Sequence, residues 1–128
     1  MQYVIKNKIL YVNKGIKKVD YQTFKDIDSN IKEIVLPEGL ITIGRDSFFD
    51  LLFIEKINIP KSVTKICQNA FWGNDSLTEI YLSSNVKMVE SRAFCNCKNL
   101  TIFVDKNEYL SNWNSEWCDN IKEVIYKN

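Results

Sequence analysis

Two of the four cysteines, Cys95 and Cys97, are separated by a single residue, and thiols so close together could bind a metal or form a redox pair. A structural zinc site needs four converging ligands, which usually come from C-x₂₋₄-C pairs or from such a pair with histidines. The other two cysteines, Cys67 and Cys118, stand alone, so the C-x-C pair has no second pair to complete a site. The sequence therefore predicts neither a metal site nor a cofactor.

Histidine is absent from the whole sequence, and this limits catalysis. Ser-His-Asp and Cys-His mechanisms are excluded, as are imidazole ligands to a metal. The four glycines, Gly15, Gly39, Gly44 and Gly73, are too scattered for a phosphate-binding loop. No pair of carboxylates stands in a recognisable catalytic frame. We therefore expect a protein that is not an enzyme and has no catalytic residues.

The composition is that of one globular domain with a balanced charge. The 128 residues include 17 basic and 16 acidic side chains, for a net charge of +1. Such a balance does not favour nucleic-acid binding, which requires a basic face. The first 15 residues alternate apolar and polar types and include Lys6 and Lys8, so they lack the apolar run of a signal peptide or a membrane span. We expect a cytoplasmic protein as the chain is given, or a surface or secreted one if it is an excised domain.

Three consecutive blocks of 23 residues align without a gap, at 31–53, 54–76 and 77–99. We number the positions within each block as columns 1 to 23. Seven columns match in residue type among the three blocks, and column 18 is always phenylalanine. A degenerate copy precedes the blocks, and another follows them. We therefore predict a single domain, 1–128, that consists of an N-terminal cap with a degenerate repeat (1–30), three regular repeats (31–99), and a degenerate last repeat with a C-terminal cap (100–128).

Each block is typical of one coil of a solenoid. Columns 3 to 6 alternate as in a strand whose columns 4 and 6 face the core, and a proline in column 7 ends that strand at Pro37 and Pro60. Columns 10 to 13 predict a second extended segment, and columns 17 and 18 predict a helical turn that places the phenylalanine in the core. Stacking the coils buries a continuous apolar column that no single coil could bury.

The pattern I-x-x-I-x-[LI]-P-x-x-[LV]-x-x-I-x-x-x-[AS]-F resembles the BspA-type leucine-rich repeat family, over roughly residues 7–128. The resemblance implies an α/β-type solenoid, a right-handed stack of leucine-rich repeat coils with a parallel sheet and short helical turns. Members of that family are mostly surface or secreted proteins implicated in adhesion to host proteins and other cells, a role that the resemblance implies here only if the chain is an excised domain. Two departures are that Ser83 replaces the family's proline and that only Cys97 fills a column in which the family often has cysteine.

The column positions also give expectations for the cysteines and for two glycosylation sequons. Cys97 is predicted to be a small buried side chain at the core edge. Cys95 and Cys118 are predicted to share column 19 of successive coils, about 4.8 Å apart along the ladder, within reach of a disulfide that would stay reduced in the cytosol. Asn74 shares a column with Cys97, where a glycan would have no room. Neither it nor Asn99 is expected to carry a glycan.

The residues expected to bind a partner lie on the outward face of the strands. We call the outward residues of column 5 in successive coils the column-5 row, and its predicted members are Tyr11, Val35, Asn58, Tyr81, Val104 and Ile125. Column 3 contributes the column-3 row, Ile9, Glu33, Lys56, Glu79, Ile102 and Glu123, in which the central Glu33, Lys56 and Glu79 are expected to pair across strands. Five of the six column-5 residues are apolar or aromatic. Either β-propensity alone placed them there, or they form a binding stripe.

Aromatic residues elsewhere have structural interpretations. Trp113 and Trp117 are expected to close the C-terminal end of the core, and residues 3–12 to form a capping hairpin at the other end. Phe49 and Trp72 share column 19. They either stack on each other one coil apart or, as we expect, pack locally against the helical turns.

The sequence therefore predicts a non-enzymatic protein–protein interaction module that uses the outward strand face. One alternative is a cell-surface or secreted adhesin domain excised from a longer protein, and another is an intracellular inhibitor or immunity-type partner. The expected partner is another protein or a second copy of the chain. Neither nucleic-acid binding nor membrane insertion is expected.

Overall fold

The computed structural model describes residues 2–128 and shows a β-solenoid of about five coils, with about 23 residues in each coil. Each coil contributes one strand to a first side and a shorter strand to a second side, and it returns through a third side made of turns. The strands of the first side are β1 (Tyr3–Lys6), β2 (Ile9–Val12), β4 (Glu33–Val35), β6 (Lys56–Ile57), β8 (Glu79–Leu82), β10 (Thr101–Asp105) and β11 (Glu123–Lys127). Those of the second side are β3 (Lys18–Val19), β5 (Thr42–Ile43), β7 (Lys65–Ile66) and β9 (Met88–Val89).

Strand pairing follows the coil order and is parallel except at the N-terminus. The first side forms two hydrogen-bonded sheets, β1-β2-β4-β6 and β8-β10-β11, and the second side forms one sheet, β3-β5-β7-β9. The predicted hairpin is present, because β1 pairs with β2 in antiparallel fashion. Its two turn residues, Asn7 and Lys8, have φ values of 54° and 65°, as a tight two-residue hairpin turn requires.

The predicted helical turn is a helix only in the first coil, as α1 (Tyr21–Phe24), where the Asp20 side chain caps the first turn. In later coils the same segment is a series of tight turns that also bond to the next coil. The N–H of Ser47 donates to Gly44 O within its own coil, whereas the N–H of Phe48 donates to Ala70 O of the next coil at 2.7 Å. Left-handed backbone at Asp46 and Asp50 permits this alternation. The third side is therefore also hydrogen-bonded from coil to coil.

The core is organised around a ladder of phenylalanine rings, as the repeat predicts. Phe24, Phe48, Phe71 and Phe94 are all fully buried. Their ring centroids are 4.8, 4.9 and 4.7 Å apart in that order. Isoleucine, leucine and valine from both strand sides fill the space around the rings.

Two tryptophans cover the C-terminal end of this ladder. Trp117 contacts the Phe94 ring edge-on at 6.0 Å, and Trp113 contacts Trp117 in the same manner at 5.0 Å. The indole N–H of Trp113 donates to Val86 O at 3.2 Å, which satisfies the polar atom of this buried ring. Both side chains thus shield Phe94 from solvent, as expected.

The register of β10 corrects the sequence analysis. β10 pairs with β8 so that Thr101 lies beside Glu79, Phe103 beside Tyr81 and Val104 beside Leu82. Val104 and Ile102 are both 0% exposed. Their predicted outward positions are therefore wrong. The strand begins one residue earlier after Leu100 than in the regular coils, and a shift of one residue moves every side chain to the opposite face.

A second register change separates Cys95 from Cys118. In the regular coils the N–H of Phe71 donates to the carbonyl of Ala93, the residue immediately before the next phenylalanine. In the last coil Phe94 donates to Trp117, so Cys118 is the counterpart of Phe94 and not of Cys95. The expected shared column is wrong, and all four cysteines are free thiols.

Candidate functional site

The outward residues of the first side follow the order of the coils, with one change from the predicted membership. Strand pairing places Tyr11 beside Val35, and Phe103 between Tyr81 and Ile125. Phe103 therefore takes the position assigned to Val104. The observed column-5 row is Tyr11, Val35, Asn58, Tyr81, Phe103 and Ile125.

The most prominent feature of this row is an aromatic pair in which an exposed Tyr81 stacks on a half-buried Phe103. The rings of Tyr81 and Phe103 stack with their centroids 4.7 Å apart and their planes 9° from parallel. Tyr81 is 54% exposed although it lies in the middle of a strand. The ammonium of Lys127 lies 5.8 Å from the Phe103 centroid, a cation–π distance. An aromatic surface with an adjacent cation is thus presented to solvent.

Glu79 orients the Tyr81 hydroxyl. The phenol donates a hydrogen bond to Glu79 Oε2 at 3.3 Å. Loss of hydration and then the negative charge of Glu79 raise the pKa of Tyr81 above its ordinary value. The hydroxyl therefore remains protonated at neutral pH and can donate a hydrogen bond to a ligand in place of Glu79.

The N-terminal part of the row is apolar but separated from the aromatic pair. Tyr11 and Val35 line a shallow depression together with Val12 and Pro37. Asn58, the next residue in the row, uses its carboxamide within the protein. Its Oδ1 accepts from Leu36 N at 2.8 Å, and its Nδ2 donates to Leu36 O at 3.2 Å. Asn58 continues the hydrogen bonding beyond the end of β4, and it divides the row into two apolar parts.

The column-3 row forms a polar border along one side of these apolar parts. The Lys56 ammonium lies 4.0 Å from the Glu33 carboxylate, as the predicted cross-strand pairing requires. Such an exposed pair contributes about 0–1 kcal/mol to stability. The predicted pairing of Lys56 with Glu79 is wrong, because β6 does not pair with β8, and Glu79 instead accepts from the Tyr81 hydroxyl. Thr101 occupies the place predicted for Ile102 and is buried.

The thiols lie in settings that keep them protonated. Cys97 is fully buried, and its Sγ donates to Phe71 O at 2.9 Å. Burial raises the pKa of Cys97 to about 11. Burial and then the Asp119 carboxylate raise the pKa of Cys118 to about 11 as well. These groups are neutral at physiological pH and are therefore poor nucleophiles and poor metal ligands.

Two other kinds of feature are absent from the described residues. Within residues 2–128 no three or more cysteine, aspartate or glutamate side chains gather closely enough to hold a metal ion. No helix in the same residues is long and apolar enough to cross a membrane.

Sequence reasoning missed one member of the site and misjudged one other surface feature. The predicted outward positions of Ile102 and Val104 turn Phe103, which lies between them, toward the core, because three apolar residues in a row, 102–104, leave the strand face undecided. Phe49 and Trp72 stack on each other across successive coils, with centroids 4.9 Å apart and planes 12° from parallel. This was the less favoured of the two alternatives. Their shared column 19 was the signal that pointed to it.

Comparisons with known proteins agree with this architecture. The profile of the BspA type leucine rich repeat region matches six copies across residues 3–125. The crystal structure of the pneumococcal vaccine antigen PcpA is similar, with a TM-score of 0.56 and 16% sequence identity. The similarity covers 96% of this chain and 42% of the PcpA chain, and at this identity it concerns the fold alone. No curated protein sequence matches the chain.

Repeats of this kind typically form non-enzymatic scaffolds, and they generally mediate contacts between proteins. The six matched copies extend over nearly all of the chain, and the stacked coils and the phenylalanine ladder are their structural expression. The chain therefore belongs to the BspA-type leucine-rich repeat family.

Proposed function

We infer that this chain is a protein-interaction module that binds another protein through its column-5 row, centred on Tyr81 and Phe103. The two apolar parts of the row, Tyr11 with Val35 and Tyr81 with Phe103 and Ile125, would contact the partner. Glu33, Lys56 and Glu79 would border this contact with polar groups. The interaction requires no catalytic residue, metal or cofactor.

The single observation that carries the proposal is the stack of the exposed Tyr81 ring on the half-buried Phe103 ring. Aromatic side chains are enriched among the residues that dominate binding energy, because they bury much surface and lose little conformational entropy. Here the two rings hold each other in place, so the entropic cost of ordering them is already met in the free protein. The Tyr81 hydroxyl adds a hydrogen-bond donor within the apolar surface.

The family supports the same interpretation in a general way. BspA-type repeats often occur in adhesin-like interaction domains, and such a role would use a broad strand face of this kind. An inhibitor or immunity-type role inside a cell would use the same face on a different class of partner. Capture from cytosolic protein and from extracellular or host protein separates these two settings.

The test is affinity capture with the wild-type chain and with Tyr81→Ala, followed by titration of the captured protein. We expect Tyr81→Ala to weaken binding by about tenfold or more, since loss of a central aromatic anchor commonly costs over about 1.4 kcal/mol. Phe103→Ala should have a comparable effect, because it removes the second ring of the stack.

Two substitutions at exposed positions outside the row serve as matched controls. Met88→Ala removes a comparably exposed apolar side chain from the second side, and Tyr21→Ala removes an exposed aromatic ring from α1. Both should leave the affinity unchanged. If Tyr81→Ala and Phe103→Ala bind as the wild type does, or if the controls weaken binding equally, the column-5 row is not the binding face.

A further inference from the structure

The strand β11 leaves one edge of the first side open. It is the outermost strand of the sheet β8-β10-β11 and pairs only with β10 among the described strands. Its Tyr126 is 58% exposed and Ile125 is exposed as well. Such an edge offers unpaired main-chain donors and acceptors and is a ready template for another strand.

The main-chain groups of β11 alternate between β10 and the open edge. Glu123 N–H donates to Leu100 O, and Lys127 O accepts from Lys106 N–H, so these odd-numbered positions face β10. By the alternation of a strand, Val124 and Tyr126 direct their N–H and C=O groups to the open edge. A strand that adds there must pair with these two residues.

The side chains of β11 are self-complementary about its central residue. The strand reads Glu-Val-Ile-Tyr-Lys, with Ile125 at the centre and opposite charges at the two ends, Glu123 and Lys127. In an antiparallel pair of two such strands centred on Ile125, each Glu123 lies opposite the other copy's Lys127. Val124 then lies opposite Tyr126. These are the residues whose main-chain groups face the open edge, so charge and hydrogen bonding select the same register.

Neighbouring registers lose this agreement. Centring the pair on Val124 places Glu123 opposite Ile125, and centring it on Tyr126 places Lys127 opposite Ile125. In the first register Glu123, and in the second Lys127, has no opposite charge across from it on the other strand. Lysine on an edge strand commonly discourages pairing. On β11, however, a glutamate at the same distance from the centre meets it in the antiparallel partner.

We propose that two copies of this chain associate through antiparallel pairing of their β11 edges, centred on Ile125, with Glu123 of each copy opposite Lys127 of the other. The association is two-fold symmetric and stops at a dimer, because each copy uses the same edge. Standard stable interfaces bury roughly 800 Å² per partner, and because this contact consists of one five-residue strand from each copy we expect a weak dimer.

The test is sedimentation equilibrium of the full chain over a range of concentrations, with charge-reversal variants. Glu123→Lys places a lysine opposite Lys127, and Lys127→Glu places a glutamate opposite Glu123. By symmetry each variant creates two like-charge contacts. Each variant alone should therefore dimerise at least about tenfold more weakly than the wild type. An equimolar mixture of the two variants restores both opposite-charge contacts and should dimerise as the wild type does.

The doubly reversed chain, Glu123→Lys with Lys127→Glu, should also recover the dimer. Circular dichroism and thermal melting of each variant establish that it is folded. Titration of the wild type with salt requires no substitution, and it should weaken the dimer. Tyr81→Ala should leave the dimer unchanged, which separates this proposal from binding of another protein by the column-5 row.

Three results would overturn the proposal. The first is a wild type that remains monomeric at every concentration. The second is a mixture that associates no better than the single variants. In the third, masses would continue beyond the dimer, as a head-to-tail contact between β11 and the other open edge at β1 would produce. Recovery of the dimer in both the mixture and the doubly reversed chain would establish the register.

Discussion

At the scale of single residues, Asn74 and Cys97 show how two unlike side chains perform one task in successive coils. Asn74 Nδ2 donates to Phe48 O at 2.7 Å and to Phe71 O at 2.9 Å. In the next coil Cys97 Sγ donates to Phe71 O at 2.9 Å. Each side chain is buried and satisfies the carbonyl of the phenylalanine in the preceding coil. A thiol in this position is therefore a structural hydrogen-bond donor.

This equivalence predicts the outcome of substitutions at Asn74. Asn74→Ala removes the side-chain donor to Phe48 O, whereas Phe71 O keeps the thiol of Cys97, and it should lower the free energy of unfolding by about 1–3 kcal/mol. Asn74→Cys supplies the donor that the next coil uses, so it should lose less than half as much. Urea unfolding of the three proteins measures both values. Equal losses for the two variants would show that the hydrogen bonds do not matter.

The raised pKa of Cys97 predicts a pH dependence of stability. The pKa of a cysteine thiol in the unfolded chain is about 8.5, whereas the pKa of Cys97 in the folded protein is about 11. Between these values the unfolded state binds fewer protons than the folded state, so the free energy of unfolding falls as the pH rises. The contribution is complete below about pH 8.5 and is lost at up to about 1.4 kcal/mol per pH unit above it.

Cys97→Ser tests this dependence, because its hydroxyl can donate to the same carbonyl but does not ionise in this range. Urea unfolding from neutral pH to about pH 11 should give a flatter decline for this variant than for the wild type. Parallel declines for the two proteins would assign the pH dependence to other groups, such as Cys118, whose pKa is also raised.

At the scale of elements, the regular coils were predictable, whereas the last coil was not. In the blocks 31–99 the strand columns alternate, so Ile34, Ile57 and Ile80 could only face the core. In Thr101–Asp105 three consecutive apolar residues provide no alternation, so the omission of one residue after Leu100 left no mark on the sequence. Phe103 was consequently placed inside and Val104 outside, which is the reverse of what the structure shows.

The turn segment also exceeded what the sequence could indicate. Ala-Phe in columns 17 and 18 predicted a helical turn, but left-handed backbone at positions such as Asp46 and Asn69 replaces it with turns that bond between coils. Aspartate and asparagine adopt this backbone more readily than most residues do. Their presence in column 16 of two blocks was the available signal, although Arg92 adopts the same backbone in the third block. The phenylalanine is buried in either conformation, so the core was predicted correctly.

The phenylalanine ladder predicts a clear contrast between inner and outer aromatic residues. Phe71 stacks between two other rings in the core, and Phe71→Ala should lower the free energy of unfolding by about 3–5 kcal/mol. Phe49 stacks on Trp72 at the surface, and Phe49→Ala should cost about 1 kcal/mol. Denaturant unfolding compares the two variants. Similar losses for both would mean that the ladder is not the main source of core stability.

At the scale of the whole molecule, the coil stack turns a short repeat into a long surface. Each coil adds one residue to the column-5 row, so residues far apart in sequence, such as Tyr11 and Ile125, belong to one face. Strand pairing joins the coils of the first side from β1 to β6 and from β8 to β11, and the second and third sides are also hydrogen-bonded from coil to coil, so each part of that face is held in register before any partner arrives. A preformed surface of this kind loses little conformational entropy on binding.

The central claim is that this face, with Tyr81 and Phe103 at its centre, contacts the protein partner. Side-chain oxidation footprinting of the chain, alone and with its captured partner, tests the claim without any substitution. The account predicts that the partner protects Tyr81 and Phe103 from oxidation, while Met88 on the second side and Tyr21 on α1 oxidise as before. Undiminished oxidation of Tyr81 and Phe103 in the complex, with protection of Met88 or Tyr21 instead, would contradict it.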